Sequence, residues 1–157
     1  MKKKILIVGL GNVLLSDEGL GVKVVKDLEK EINFPEEVEI LDGGTGAFFL
    51  LPHLEKADYL IIVDAIKAGH KPGTLLIENL ENLPQDTLEK ISLHEISFPD
   101  LLRILELKGK KFEKIILAGL EAKTLDVGTE LSQEVKEGLP LLKEKILSIL
   151  REWGIKV

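Results

Sequence analysis

ILIVGLGNVLLSDEGLG, residues 5–21, decides how the rest of the chain is read. Residues 5–8 are a short, largely β-branched apolar run, the pattern of a buried strand. Gly9 and Gly11 follow. Leu20, Val24, Val25, Leu28 and Ile32 then recur at helical spacing. The expected order is strand, glycine turn, then a helix over 17–32 with Asp17 and Glu18 in its first turn. A dinucleotide-binding βα unit begins in this way, and Asp42, after the next strand, stands where a ribose-binding acid would. Two features oppose that reading. The third glycine of the fingerprint falls on position 14, which is Leu14. A helix N-terminus attracts an anion through its unpaired N–H groups, and Asp17 and Glu18 would repel a pyrophosphate there.

Working outward, Phe34 and Pro35 end the first helix, and residues 38–41 form a second strand stopped by Asp42, Gly43 and Gly44. A short helix over 47–56 carries Pro52, which breaks or kinks it. Residues 59–63 are a third buried strand ending at Asp64. A glycine- and proline-containing turn, 68–73, leads to a fourth strand at 74–78; so short a connection favours an antiparallel run to the third. Residues 79–96 are polar and weakly periodic. Residues 98–107 are helical, with Leu101, Leu102 and Leu105 as the buried face, and 114–120 are a fifth strand. Ser132 caps a long last helix reaching Trp153, with Gly138 and Pro140 inside it. Strands alternating with helices predict an α/β, three-layer domain: a five-stranded, mostly parallel sheet flanked by helices on both faces. One domain is expected over residues 1–157.

Apolar residues make up 45% of the chain and mean hydropathy is +0.14, enough for a buried core. A net charge of −6 opposes a nucleic-acid footprint. The absence of cysteine excludes disulfides, thiolate metal sites and a cysteine nucleophile. The apolar run after Lys2–Lys4 is too short for a signal peptide or a membrane span. A cytoplasmic monomer, without membrane or nucleic-acid partners, is expected.

The candidate site residues follow from charge placed where it is costly. Asp17 has a plain reading as a helix-start residue favoured by the helix dipole, with Ser16 sharing the capping. Glu18 exceeds what a cap needs. Asp64 directly follows the apolar run YLIIV, where an acid is costly without a partner, although it could also cap the next segment. If strands one and three are parallel neighbours, Glu18 and Asp64 share the carboxyl edge of the sheet, where open α/β sheets place ligands. Two carboxylates there ask for a cation. Of the three histidines, His70 lies in a turn and reads as solvated, and His53 beside Pro52 reads as a surface or packing residue. His94 lies in a loop that could fold over the sheet edge, although a lone histidine is more often structural. Two carboxylates and an imidazole suit Zn, Ni, Mn or Fe with coordination positions left open.

Four segments together resemble the hydrogenase maturation endopeptidases: GLGNVLLSDEGLG (9–21), EILDGGT (39–45), IIVDAI (61–66) and ISLHE (91–95). The resemblance spans nearly the whole chain and implies a twisted five-stranded sheet between helices. It places the family's metal-contacting residues on Glu18, Asp64 and His94. It also implies removal of the C-terminal extension from the large-subunit precursor of a nickel–iron hydrogenase. The nickel is then carried by the substrate, and no tightly bound cofactor of the enzyme's own is expected. The chemical step has two readings: metal-assisted hydrolysis, or activation of water by Glu18 or Asp64 as general base. Asp42, Gly43, Gly44 and Thr45 are expected to shape the substrate cleft, with the backbone N–H groups of 43–46 facing the substrate. Asp42 orients that loop or simply forms its turn. Two alternatives are a non-catalytic metal-binding assembly chaperone and a dinucleotide-binding domain.

Overall fold

A computed structural model describes residues 2–45, 48–80 and 97–157. His94, Gly46 and the first residue of the expected short helix lie outside the described residues, as does nearly all of the polar stretch 79–96. The strands are β1 (Ile5–Leu10), β2 (Val38–Gly44), β3 (Tyr59–Ile66), β4 (Leu75–Asn79) and β5 (Lys114–Glu121). The helices are α1 (Leu20–Glu31), α2 (Leu51–Lys56), α3 (Ser97–Leu107) and α4 (Gln133–Glu152). The sheet order is β2-β1-β3-β5-β4, parallel except that β4 runs antiparallel to β5.

The period-two alternation of strand side chains makes the three layers. Ile5, Ile7, Ile61, Val63, Ala118 and Leu120 point to one face, where Val24 and Leu28 of α1 and Leu142 and Ile146 of α4 cover them. Leu6, Val8, Leu60, Ile62 and Leu117 point to the other, against Leu54 of α2 and Phe98, Leu101 and Leu105 of α3. With both faces covered, β1 is buried along its whole length. Ser132 caps α4, its hydroxyl accepting from Val135 N at 3.3 Å, and Pro140 lies within that helix.

Three differences from the sequence reading bear on the site and its surroundings. Residues Ser16–Gly19 form a separate 3-10 turn, and α1 starts only at Leu20. β3 runs two residues beyond Asp64, which therefore sits inside the strand opposite Gly119 of β5. β4 is antiparallel to the third strand as expected, but it pairs with β5, which lies between the two. The turn after β3 crosses the end of β5 first: Gly73 N donates to Glu121 O and Glu121 N to Thr74 O.

β1 connects through α1 to β2 on one side, whereas β3 lies on its other side. The chain therefore diverges between β1 and β3, and a crevice opens at their carboxyl ends, the topological switch point at which open α/β sheets hold ligands.

Candidate active site

Glycines bring the start of α1 down onto that crevice. A side chain at Gly9 would overlap the carbonyl of Gly21, and one at Gly21 would overlap the carbonyls of Val63 and Leu10. Only hydrogen at both positions permits this approach of helix to strand ends. The 3-10 turn is thereby seated against β3. Glu18, in that turn, is only 4% exposed, and Asp64, in β3, is 1% exposed. Asp64 follows Val63, which faces α1 and α4, so by strand alternation it lies on the face covered by α2 and α3. Its Oδ1 accepts from Ala65 N at 2.8 Å. Two acids far apart in sequence are thus buried at one rim of the sheet. His94 lies outside the described residues; in sequence it is three positions before α3, which packs on the Asp64 face. Among the described residues no three His, Asp or Glu side chains are grouped to hold a metal ion.

Asp17 does not cap its own helix, because neither the 3-10 turn nor α1 has a side-chain cap. It is fully buried and binds the distant connection between β5 and α4. Its Oδ2 accepts from Lys123 N at 2.8 Å, Thr124 N at 3.1 Å and Ser132 Oγ at 2.8 Å; its Oδ1 accepts from Ser132 N at 2.7 Å. Ser16 acts with it. Its hydroxyl donates to Asp126 O at 2.7 Å and its N–H to Gly128 O at 2.8 Å. Its φ of 55° lies in the left-handed region that non-glycine residues seldom occupy. A backbone held in that conformation one residue from buried acids is characteristic of functional sites. Asp17 and Glu18, adjacent in sequence, therefore differ in placement: the first locks a loop, and the second sits at the crevice.

The segment expected to shape the cleft is placed at the same end. Asp42 Oδ1 accepts from Gly44 N at 2.9 Å, the turn-forming role, and its carboxylate is 3.6 Å from Lys26 Nζ. Gly11 N donates to Gly44 O at 2.7 Å, tying this loop to the one after β1. A side chain at Gly43 would press on Val8 and Leu10. Thr45 continues the turn.

His53 is a surface residue, its Nδ1 2.8 Å from the Glu39 carboxylate. His70 is half exposed, with Nδ1 3.4 Å from a carboxylate oxygen of Glu121. Glu121 is the group that sequence reasoning missed. It is 1% exposed and accepts from Ala68 N at 3.0 and 3.1 Å and from His70 N at 3.2 Å. The signal was present: like Asp64, it is an acid directly after a buried apolar run.

Burying a carboxylate costs several kcal/mol unless donors or a cation compensate. Asp17 and Glu121 are compensated by backbone N–H groups. Glu18 and Asp64, also buried at this end of the sheet and not without partners, are carboxylates of the kind that can ligate a divalent cation or accept a proton from water.

Comparison with known proteins agrees with this geometry. The hydrogenase maturation protease family model matches residues 22–149. The Hydrogenase 2 maturation protease of Escherichia coli (strain K12) is 38% identical over 154 residues, covering 98% of this chain and 94% of that relative. The structure of the hydrogenase maturating endopeptidase HybD from E. coli has a TM-score of 0.89 at 38% identity, covering 98% of this chain and 95% of that one. A NiFe hydrogenase maturation protease, HybD from Thermococcus kodakarensis, gives a TM-score of 0.75 at 30% identity, covering 93% and 98%. Such relatives favour an endopeptidase over a nucleotide-binding domain or a non-catalytic metal chaperone. With its fold, its switch-point acids and these likenesses in agreement, the chain belongs to the hydrogenase maturation protease family and is a peptidase.

Proposed function

We propose that this peptidase removes the C-terminal extension from the nickel-loaded large-subunit precursor of a NiFe hydrogenase, in the cytoplasm and as a monomer. Glu18, Asp64 and His94 take up open coordination positions on the nickel that the substrate carries. The observation that supports this reading is that Glu18, in the 3-10 turn after β1, and Asp64, in the neighbouring strand β3, are both buried. A precursor without nickel offers these carboxylates nothing to bind, so specificity is a difference in affinity between loaded and unloaded forms. The loop of Asp42, Gly43, Gly44 and Thr45 borders the same crevice and supports the substrate chain.

Hydrolysis requires that a water oxygen bond to the scissile carbonyl carbon, that the C–N bond break, and that a proton reach the departing amine. The substrate's nickel, held by the three side chains, would polarise that carbonyl or acidify the water. A carboxylate not engaged on the ion would take the water's proton as general base, an effect of about 10²–10⁴ in rate.

The test mixes the chain with nickel-loaded and nickel-free precursor and follows precursor mass. Loss of a C-terminal peptide from the loaded form alone is expected. Glu18→Gln, Asp64→Asn and His94→Ala should each lower the rate by about a hundredfold or more while leaving the fold intact. Equal cutting of both precursor forms would refute the metal-sensing role. Full activity of His94→Ala would remove that residue from the site.

A further inference from the structure

The loop that buries the acids inverts the usual arrangement of side chains. In residues 12–18 the polar Ser16, Asp17 and Glu18 are buried, whereas Val13 and Leu14 face solvent, Leu14 at 58% exposure. Water disfavours that arrangement, yet the tip is firmly held. Leu14 N donates to Asn12 Oδ1 at 2.9 Å, Leu15 N to Asn12 O at 3.1 Å and Gly128 N to Leu14 O at 2.9 Å. Val13 stands directly over Gly19, the residue after Glu18.

Neighbouring loops repeat the pattern. Val127, beside the Gly128 that bonds Leu14, is 89% exposed, and Phe48 and Phe49, just past the Gly44 loop tied to Gly11, are 66% and 53% exposed. Of the seven large hydrophobics exposed among the described residues, these five lie on the segments that follow the carboxyl ends of β1, β2 and β5, Phe48 and Phe49 in a short 3-10 helix (Phe48–Leu50). The other two, Leu107 and Leu141, are on helices. No Lys or Arg occurs in residues 5–22, and no charged residue in 43–51. Exposed apolar groups gathered in one region mark an interaction surface, and here they lie at the same end of the sheet as the candidate active site.

We propose that Val13, Leu14, Phe48, Phe49 and Val127 form the docking rim of the enzyme, and that the occupant is an uncharged, apolar surface of the substrate protein flanking its scissile segment. This rests on the peptidase reading of Glu18 and Asp64: the rim is continuous with their loop, and an endopeptidase must remove its scissile segment from water. The rim carries no Lys or Arg on its first loop and no charge in 43–51, Asp126 being the charged neighbour of Val127; it therefore selects mainly by apolar contact, so selection for the substrate protein resides in the rim and selection for its metal in the acids beneath. The fixed loop conformation presents the contact residues already ordered, which lowers the entropic cost of binding.

The test uses the full chain, nickel-loaded precursor, and two double variants, Leu14→Ser with Val127→Ser and Phe48→Ser with Phe49→Ser. Because the replaced side chains are exposed, melting temperatures should match wild type. The half-saturating precursor concentration should rise about tenfold or more, equivalent to about 1.4 kcal/mol of lost binding. The rate at saturation should stay unchanged, as for uniform binding contacts. Leu107→Ser, remote from the rim, should behave as wild type. Direct binding of the precursor to the Glu18→Gln chain, measured calorimetrically, should weaken in the same two doubles. Rim-dependent binding without any cleavage would refute the proposed reaction and uphold the docking rim. Wild-type half-saturation and binding in both doubles would overturn the rim. So would wild-type half-saturation accompanied by loss of self-association in sedimentation, which would assign these residues to a contact with a second copy of the chain.

Discussion

The two ends of the sheet are built on opposite principles. Where β1 and β2 begin, polar groups are at the surface and paired: Lys3 with Glu113 at 2.7 Å, Lys2 with Glu37 at 3.6 Å, and the His53 ring with Glu39 at 2.8 Å. A cavity of about 500 Å³ lies there, lined by residues including Lys2, Lys4, Glu37, His53 and Lys56. At the carboxyl end the five buried polar residues recorded among the described ones, Ser16, Asp17, Glu18, Asp64 and Glu121, are gathered together, and apolar side chains face outward. Surface pairs are worth about 0–1 kcal/mol each and are easily exchanged. Buried acids are costly and persist only where something requires them. That hollow is therefore a poor guide to this protein's chemistry, and the location of desolvated charge is a better one.

Asp17 offers the strongest test of that contrast. Its carboxylate takes three backbone N–H groups and one hydroxyl with no exposure to solvent. Asp17→Ala would leave buried donors unsatisfied and should cost about 3–5 kcal/mol, read as a lowered midpoint in urea unfolding. Asp17→Asn keeps one acceptor oxygen and should cost clearly less. Removing an exposed acid of the opposite end, Glu113→Ala, should cost under about 1 kcal/mol. A loss for Asp17→Ala as small as that for Glu113→Ala would contradict the proposed difference between the two ends.

The same contrast explains how much was legible in the sequence. β1, α1, β3, β5 and α4 were readable because burial on one or two faces imprints a local period, and Ser132 was readable as a cap because its partner Val135 is three residues on. Glu18 stood out because a second carboxylate exceeds what a cap needs, and Asp64 because it directly follows an apolar run. Asp17 was misread as a helix-start residue because its partners lie 106–115 positions away, and no local pattern encodes so distant a bond. The partner of β4 was not legible for a related reason. The short connection favoured an antiparallel run to β3, which β4 has, but the chain is drawn across the end of β5, and it is β5 with which β4 pairs. His94 was offered by its loop position and by the family resemblance, and it lies outside the described residues.

Glu121 makes that crossing, so it provides a second, smaller test of the buried end. Its carboxylate gathers Ala68 N and His70 N from the turn after β3. Glu121→Gln retains one acceptor and should lose about 1–2 kcal/mol. The loss should be local: amide exchange of Ala68 and His70 should accelerate while that of Ile61 and Val63 in β3 changes only with global stability. Uniform acceleration across the sheet would mean that Glu121 supports the core and not the crossing turn.

The smallest effect is expected between α1 and α4, at a pair that resembles the ion pairs of the opposite end. Lys143 Nζ lies 2.9 Å from Asp27, which Lys23 also approaches at 3.2 Å; the Lys143 and Asp27 side chains are each 20% exposed. Partial burial works to raise the Asp27 carboxyl, but hydrogen bonds from Lys143 and Lys23 and their charges outweigh it and hold the group below its ordinary value. A depressed carboxylate contributes stability that is present above its unfolded value and is lost as pH falls through the folded one. Lys143 is opposed by burial, yet its bonds and charge contacts with Asp27 and Glu31 raise it. Its share is therefore complete below the ordinary lysine value and fades only as pH rises through the raised one. Lys143→Met should accordingly cost no more than about 1 kcal/mol at neutral pH, with the gap to wild type closing in acid as Asp27 takes up its proton. Unfolding midpoints of both proteins across the carboxylate range measure that gap. A gap that persists unchanged below the depressed Asp27 value would mean that Lys143 stabilises through packing of its methylene stem between the helices and not through its charge.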